Sequence, residues 1–199
     1  MSRCLSHAFL ASLAISFLGM VVAGCDNRPK RLSPTKVDAA TAATEAMAMY
    51  DTNQDGRISG SELDKCPSLK AIAKDGTVTA DFIKARITDW QESRIGRGAV
   101  SIAIFHNGKG LPGASVKLTP EKFLGTDIHS AAGTTGPMGA AIISVPTSGP
   151  GEPLGASLGF YRVEVAKDGE SIPAKYNAET TLGIAVLGGD TSTSFNLVY

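Results

Sequence analysis

The residues best suited to chemistry lie together between Asp51 and Glu62, in the run DTNQDGRISGSE. Asp51, Asn53 and Asp55 place side-chain oxygens at every second position, and Glu62 adds a further carboxylate. Hard oxygen ligands suit a hard cation with flexible coordination, so this spacing favours calcium over zinc or copper. The alternative interpretation is a polar surface turn rich in Asp, Asn and Gly that binds no metal.

The run resembles the calcium loop of an EF-hand, in which the ligands occupy positions 1, 3, 5, 7, 9 and 12. Position 6 is Gly56, where the chain turns with a positive φ that a Cβ resists. Ile58 at position 8 is the apolar residue that pairs with a second loop. The ligands implied by the resemblance are the side chains of Asp51, Asn53 and Asp55, the backbone carbonyl of Arg57, Ser59 through a water, and both carboxylate oxygens of Glu62.

A second loop follows in the same register but lacks the ligands. The segment DGTVT, which begins at Asp75, aligns Gly76 with position 6 and Val78 with position 8. Positions 1, 3 and 12 then hold residues without a carboxylate or amide oxygen in the side chain: Ala71, Ala73 and Phe82. We therefore expect Ca²⁺ in the first loop only, with Ile58 and Val78 forming a short strand pair between the two loops.

Helices must position these loops, and residues 35–95 are predicted to be helical. The residues before the first loop that recur at helical spacing, and should form its buried face, are Val37, Ala40, Thr44 and Met47. A short helix from Ser59 should end near Lys65, because Pro67 restricts the residue before it. Thr79 should cap a last helix, whose core residues are Phe82, Ile83, Ile87 and Trp90.

Residues 98–199 change to the alternating pattern of β-strands. We predict strands over residues 99–105, 114–118, 141–145, 160–165, 182–187 and 194–198. Gly and Pro separate these short runs, which is typical of a β-sandwich. The predicted fold class is therefore α+β, with a helical EF-hand pair followed by an all-β sandwich. Because the sandwich has its own apolar strands, we expect it to stay folded without calcium.

Three segments of this half resemble the carboxypeptidase regulatory-like, transthyretin-like domains. They are GLPGASV from Gly110, GFYRVEV from Gly159, and IPAKY from Ile172 in the loop after it. The resemblance implies a seven-stranded Ig/transthyretin-like sandwich over residues 98–199, used for stability or adhesion. It implies no catalytic activity.

The N-terminus reads as a targeting segment. An apolar run of about 15 residues, the length of a signal peptide, ends in Val22-Ala23-Gly24-Cys25. This ending resembles the lipobox of bacterial lipoproteins, in which the cysteine becomes the acylated N-terminus. The resemblance implies a signal peptide over residues 1–24, a lipidated tether over 25–34, and anchoring of the protein to a membrane of the cell envelope through Cys25, facing the periplasm or exterior. The alternative is an ordinary signal peptide with a coincidental cysteine.

Charge and motifs limit the remaining functions. The chain has 19 Lys and Arg against 19 Asp and Glu, without a basic stripe, so nucleic acid is not an expected partner. The sequence contains no nucleophile elbow, no zinc-spaced cluster and no phosphate loop, so we expect that the protein is not an enzyme. Cys66 reads as a small buried hydrophobe, and His106 and His129 as exposed and unpaired.

Two functions fit these observations. The first is a calcium-binding lipoprotein with a structural or adhesive sandwich. The second is a glycan- or peptide-binding module in which calcium is only structural. A cell-envelope protein or polysaccharide is a possible partner in either case. Sandwich domains that bind glycans usually present exposed aromatic side chains, whereas most aromatics here lie at the spacing of a strand core.

Overall fold

The computed structural model describes residues 32–146 and 152–199, so the predicted signal peptide, lipobox and Cys25 lie outside the described residues. The chain is an α+β protein, with helices in its first part and strands in its second. In chain order the elements are α1 (Ala39–Tyr50), β1 (Ile58–Ser59), α2 (Ser61–Lys65), α3 (Pro67–Lys70), β2 (Thr77–Val78), α4 (Ala80–Glu92), β3 (Arg97–His106), β4 (Lys109–Gly110), β5 (Ser115–Pro120), β6 (Ala131–Thr134), β7 (Ala140–Ile143), β8 (Ala156–Ser157), β9 (Gly159–Ala166), β10 (Gly183–Val186) and β11 (Asp190–Leu197), with 3-10 turns at Lys122–Leu124 and Ala174–Tyr176.

Local sequence signals explain where the helices begin and end. Asp38 caps α1, because its side chain accepts a hydrogen bond from the N–H of Thr41 at 2.7 Å. The predicted cap of α4 is confirmed, since Thr79 Oγ1 accepts from the N–H of Phe82 at 3.2 Å. The predicted end of α2 at Lys65 is also confirmed, and Pro67 begins α3 directly afterwards.

The buried face of α1 differs from the prediction. Ala40 and Thr44 are exposed, and the helix instead buries Ala42, Ala43, Ala46 and Tyr50. These residues pack towards α4 and the 3-10 turn at residues 122–124. Alanines occur on every side of α1, so the apolar pattern did not select one face. The face that α1 buries is the one that carries both small alanines and Tyr50, because this face can pack closely on α4.

Two sheets form the second part of the molecule. One has the order β10-β9-β5-β6, with each pair antiparallel. In the other, β3 pairs in parallel with β11 and antiparallel with β4, β7 and β8. The six predicted strands are confirmed to within a few residues at their ends. Strand β6, with the sequence AAGT, and the two-residue strands β4 and β8 were not predicted, because none has the alternating β-branched pattern.

One apolar core runs from the helices into both sheets. Trp90 of α4 packs on Phe160 of β9 with ring centroids 5.3 Å apart. The backbone of α3 lies directly on β10, where a Cβ on Gly183 would come within 2.3 Å of the carbonyl carbon of Pro67. The helical and β parts therefore bury their apolar side chains in one continuous core.

Within residues 32–146 and 152–199, no helix combines the length and the hydropathy needed to cross a membrane.

Candidate metal centre

The first half of the candidate loop is closed by its own side-chain oxygens. The Asp51 carboxylate accepts from the N–H of Asp55 at 3.2 Å and of Gly56 at 3.0 Å. Asn53 Oδ1 also accepts from the N–H of Asp55, at 3.0 Å, and Asp55 Oδ1 accepts from the N–H of Arg57 at 2.9 Å. The oxygens of positions 1, 3 and 5 therefore surround one short stretch of backbone.

Glu62 joins the two ends of the loop. Its side chain is only 5% exposed, although it belongs to a loop that is otherwise largely exposed. Oε1 accepts from the N–H groups of Thr52 at 2.8 Å and Asn53 at 3.2 Å, and Oε2 accepts from the N–H of Ser59 at 3.1 Å. The hydrogen bond from Ser59, followed by those from Thr52, holds the pKa of this carboxyl below its usual value, so Glu62 is ionised at neutral pH.

The backbone of the loop turns where the sequence required a glycine. Gly56 has a φ of 81°, as predicted, and open space surrounds the position of its missing Cβ. Gln54 also has a positive φ, of 59°, and nothing in the sequence indicated this. A second left-handed residue two positions before Gly56 tightens the loop around the side chains of positions 1, 3 and 5.

The predicted pairing between the two loops is confirmed. Ile58 of β1 lies opposite Val78 of β2 in an antiparallel pair, and both side chains are almost fully buried. Before β2 the chain closes in a tight turn, in which Asp75 and Gly76 both have positive φ. The first loop is therefore attached through β1 to an apolar core and not only to its flanking helices.

The donor chemistry of the loop suits calcium, but its acidic side chains are not gathered into a preformed cluster. In the described part of the chain, no group of three or more His, Cys, Asp or Glu side chains has the geometry to hold a metal ion. The carboxylates of Asp51, Asp55 and Glu62 accept from backbone N–H groups instead. The same loop also contains the amide oxygen of Asn53 and backbone carbonyl oxygens, which are further possible ligands for calcium besides the three carboxylates. Arg57 is exposed and Ser59 is half-buried.

A buried polar network beside the loop was not predicted from the sequence. Glu121, which is 1% exposed, accepts from Ser68 Oγ at 2.8 Å, Tyr50 Oη at 3.1 Å and Arg162 Nε at 3.2 Å. Glu121 follows Pro120 at the end of β5, and Arg162 alternates with Glu164 on β9. Both patterns are typical of solvent-exposed residues, so only tertiary packing brings the two charges together.

Cys66 lies at the edge of this network and is buried, as predicted. Its Sγ lies 3.5 Å from Glu121 Oε1. Burial, together with the nearby Glu121 charge, raises the pKa of the Cys66 thiol to about 12. The thiol is therefore protonated at neutral pH and is a poor nucleophile.

His106 and His129 have different surroundings. The expectation that His106 is exposed and unpaired is wrong, because its ring stacks on Tyr199 at 4.1 Å and its Nδ1 lies 3.4 Å from Glu170. His129 is exposed. Of the Phe, Tyr and Trp side chains in residues 32–146 and 152–199, Tyr199 alone is exposed.

No protein-family model matches the chain, and a search of curated proteins finds no relative.

Proposed function

We propose that this protein binds one calcium ion at residues 51–62, in an EF-hand pair spanning residues 35–95 whose second loop binds none. Calcium would supply charge neutralisation for three carboxylates and would hold the two ends of the loop together. The proposed ligands are Asp51, Asn53, Asp55, Arg57 through its carbonyl, Ser59 through a water, and Glu62.

The observation that most supports this proposal is the position of Glu62. Its buried, ionised carboxylate reaches back over the loop to the N–H groups of Thr52 and Asn53, next to Asp51. Burial of a charge is costly unless partners offset it, and the partners of Glu62 among Thr52, Asn53 and Ser59 are neutral hydrogen-bond donors. A cation at the same place would give Glu62 a partner of opposite charge, and the Ile58–Val78 pair would support the loop from below.

Calorimetric titration with calcium tests the proposal. We expect one site per chain, with a dissociation constant of about 10⁻⁴–10⁻³ M, as in extracellular modules. Glu62→Gln should remove most of the affinity, because an amide cannot replace a bidentate carboxylate. Arg57→Ala is the matched control and should retain the affinity, because position 7 binds through its backbone. Two equivalent sites would contradict the assignment of the second loop, and a silent Glu62→Gln would contradict the assignment of the first.

We further propose that the protein is a lipoprotein of the cell envelope, anchored through an acylated Cys25, and that residues 98–199 form a transthyretin-like sandwich with a structural or adhesive role. The lipobox-like sequence at Cys25 supports the anchor, and the two sheets around β3 and β9 are compatible with the sandwich. Cys25→Ala should move the protein from the membrane fraction to the soluble fraction, or block its maturation. Wild-type protein found soluble, with an unmodified N-terminus beyond Cys25, would exclude the anchor.

A further inference from the structure

The ion pair of Glu121 and Arg162 lies outside the candidate loop but contacts both of its flanks. On the N-terminal side, Tyr50 is the last residue of α1 and directly precedes Asp51. Its Oη donates to Glu121 Oε2 at 3.1 Å and accepts from Arg162 Nη2 at 3.3 Å. The residue before the first ligand is therefore bonded to both members of the pair.

The C-terminal flank is bonded to the same pair. Arg162 Nη2 donates to the backbone carbonyl of Lys65, which ends the helix that contains Glu62. Ser68, just after that helix, donates to Glu121 Oε1 at 2.8 Å. One carboxylate from the end of β5 and one guanidinium from β9 thus tie together the two segments that must bring Asp51 and Glu62 to a common cation.

The network is fully paired, which is what allows it to fix a geometry. No buried side-chain nitrogen or oxygen in the described residues lacks a hydrogen-bond partner. Glu121 is buried and Arg162 is partly exposed, and an ion pair with a buried member gives little net stability over apolar packing. Its hydrogen bonds are directional, however, so it holds the elements that it joins in one arrangement.

We propose that Glu121 and Arg162 are positioning residues for the calcium loop, and that they set its affinity without contributing a ligand. This inference rests on the proposed calcium function. Affinity depends on how closely the free loop already matches the bound geometry. Loosening either flank lets Asp51 and Glu62 move apart in the calcium-free protein. Bringing them together then costs free energy on binding, so the affinity for calcium falls.

Three variants of the full-length protein separate positioning from general stabilisation. Glu121→Gln removes the charge opposite Arg162 with almost no change of shape. Tyr50→Phe removes only the hydroxyl that links the N-terminal flank to the pair. Glu164→Gln is the matched control. Glu164 forms another ion pair between β5 and β9, 3.6 Å from Lys117, and accepts a hydrogen bond from Thr119 at 2.6 Å, and both partners belong to β5 and not to the flanks of the loop.

Calcium titration of the three variants, with thermal unfolding in chelator measured alongside, decides the question. We expect Glu121→Gln and Tyr50→Phe to weaken calcium binding by about 5- to 150-fold, the range of a typical coupling between sites, and Glu164→Gln to leave it unchanged. The rise in melting temperature on adding calcium should shrink in the first two variants only. Should Glu121→Gln fail to fold, Tyr50→Phe gives the same test with a smaller change.

The outcomes are distinguishable. Unchanged affinity in Tyr50→Phe and in folded Glu121→Gln overturns the inference while leaving the calcium function intact. A melting temperature lowered in chelator without any change in affinity also overturns it, because the pair would then only stabilise the fold. Wild-type protein that binds no calcium overturns the proposed function and this inference together.

Discussion

Substituting Gly183 by Ala should push α3 away from β10 and lower the free energy of unfolding by an amount that can be worked out from the structure. A Cβ built on Gly183 lies 2.3 Å from the Pro67 carbonyl carbon and the Ser68 nitrogen, whereas ordinary contact begins at 3.4 Å. The backbone of α3 must therefore move by about 1 Å. Overpacking of this kind costs about 1–3 kcal/mol, a substantial share of the roughly 5–15 kcal/mol that stabilises a typical domain.

The same movement should reach the candidate metal centre. Leu69 of α3 is fully buried, and Ser68 donates the 2.8 Å hydrogen bond to Glu121. A shift of α3 should therefore change the packing of Leu69 and lengthen the hydrogen bond from Ser68. Denaturant unfolding followed by the fluorescence of Trp90, the only tryptophan, gives the change in the free energy of unfolding. Circular dichroism on the same samples should give the same midpoint, because the two parts share one core.

Gly136→Ala is the matched control. A Cβ there meets only the carbonyl oxygen of Ala140, at 3.7 Å, which is an ordinary contact. We expect a neutral effect, or a gain of about 0.4–1 kcal/mol from a less flexible unfolded chain. Equal stabilities for the two variants would refute the reasoning, since only Gly183 is required for the close approach of α3 to β10. Separate midpoints for fluorescence and circular dichroism would refute the shared core.

Two further predictions concern single contacts. Thr79→Ala should destabilise the protein by about 1 kcal/mol through loss of the α4 cap. Thr79→Ser retains the hydroxyl and should retain most of the stability. Thermal unfolding of the two variants checks this, and equal losses of stability would contradict it. The pKa of Cys66 is about 12 in the folded state against a usual value of 9.0, so its contribution to stability is complete below pH 9 and declines as the pH rises from 9 towards 12. Over that range, urea unfolding should show a decline in wild type that exceeds the decline in Cys66→Ala, and parallel declines would refute the assignment.

Features that depend on neighbouring residues could be predicted from the sequence. The positive φ of Gly56, the Thr79 cap and the Ile58–Val78 pair each follow from a short motif with a physical reason for every position. The six predicted strands likewise follow from alternation over a few residues. The buried face of α1 could not be predicted, because its alanines fit several faces equally well.

Contacts between distant segments could not be predicted. Glu121 follows the end of β5 and Arg162 lies on β9, and each has sequence neighbours typical of an exposed site. Nothing in the sequence around Gly183 indicates that the backbone of Pro67 lies directly against it. In each case the chemistry depends on which segments meet in space. Strand β5 pairs with β9, although β6, β7 and β8 lie between them in the chain.

The parallel pairing of β3 with β11 has a consequence for how the chain folds. Ala99 aligns with Asp190 and His106 with Leu197, so β3 gains this neighbour only after most of the β region has been synthesised. Contacts between residues so far apart require a large loop to close first, which slows folding. Until then β3 presents an unpaired edge that another chain could pair with. The slow step should therefore be the docking of β11, and variants that weaken β11 should favour aggregation during refolding.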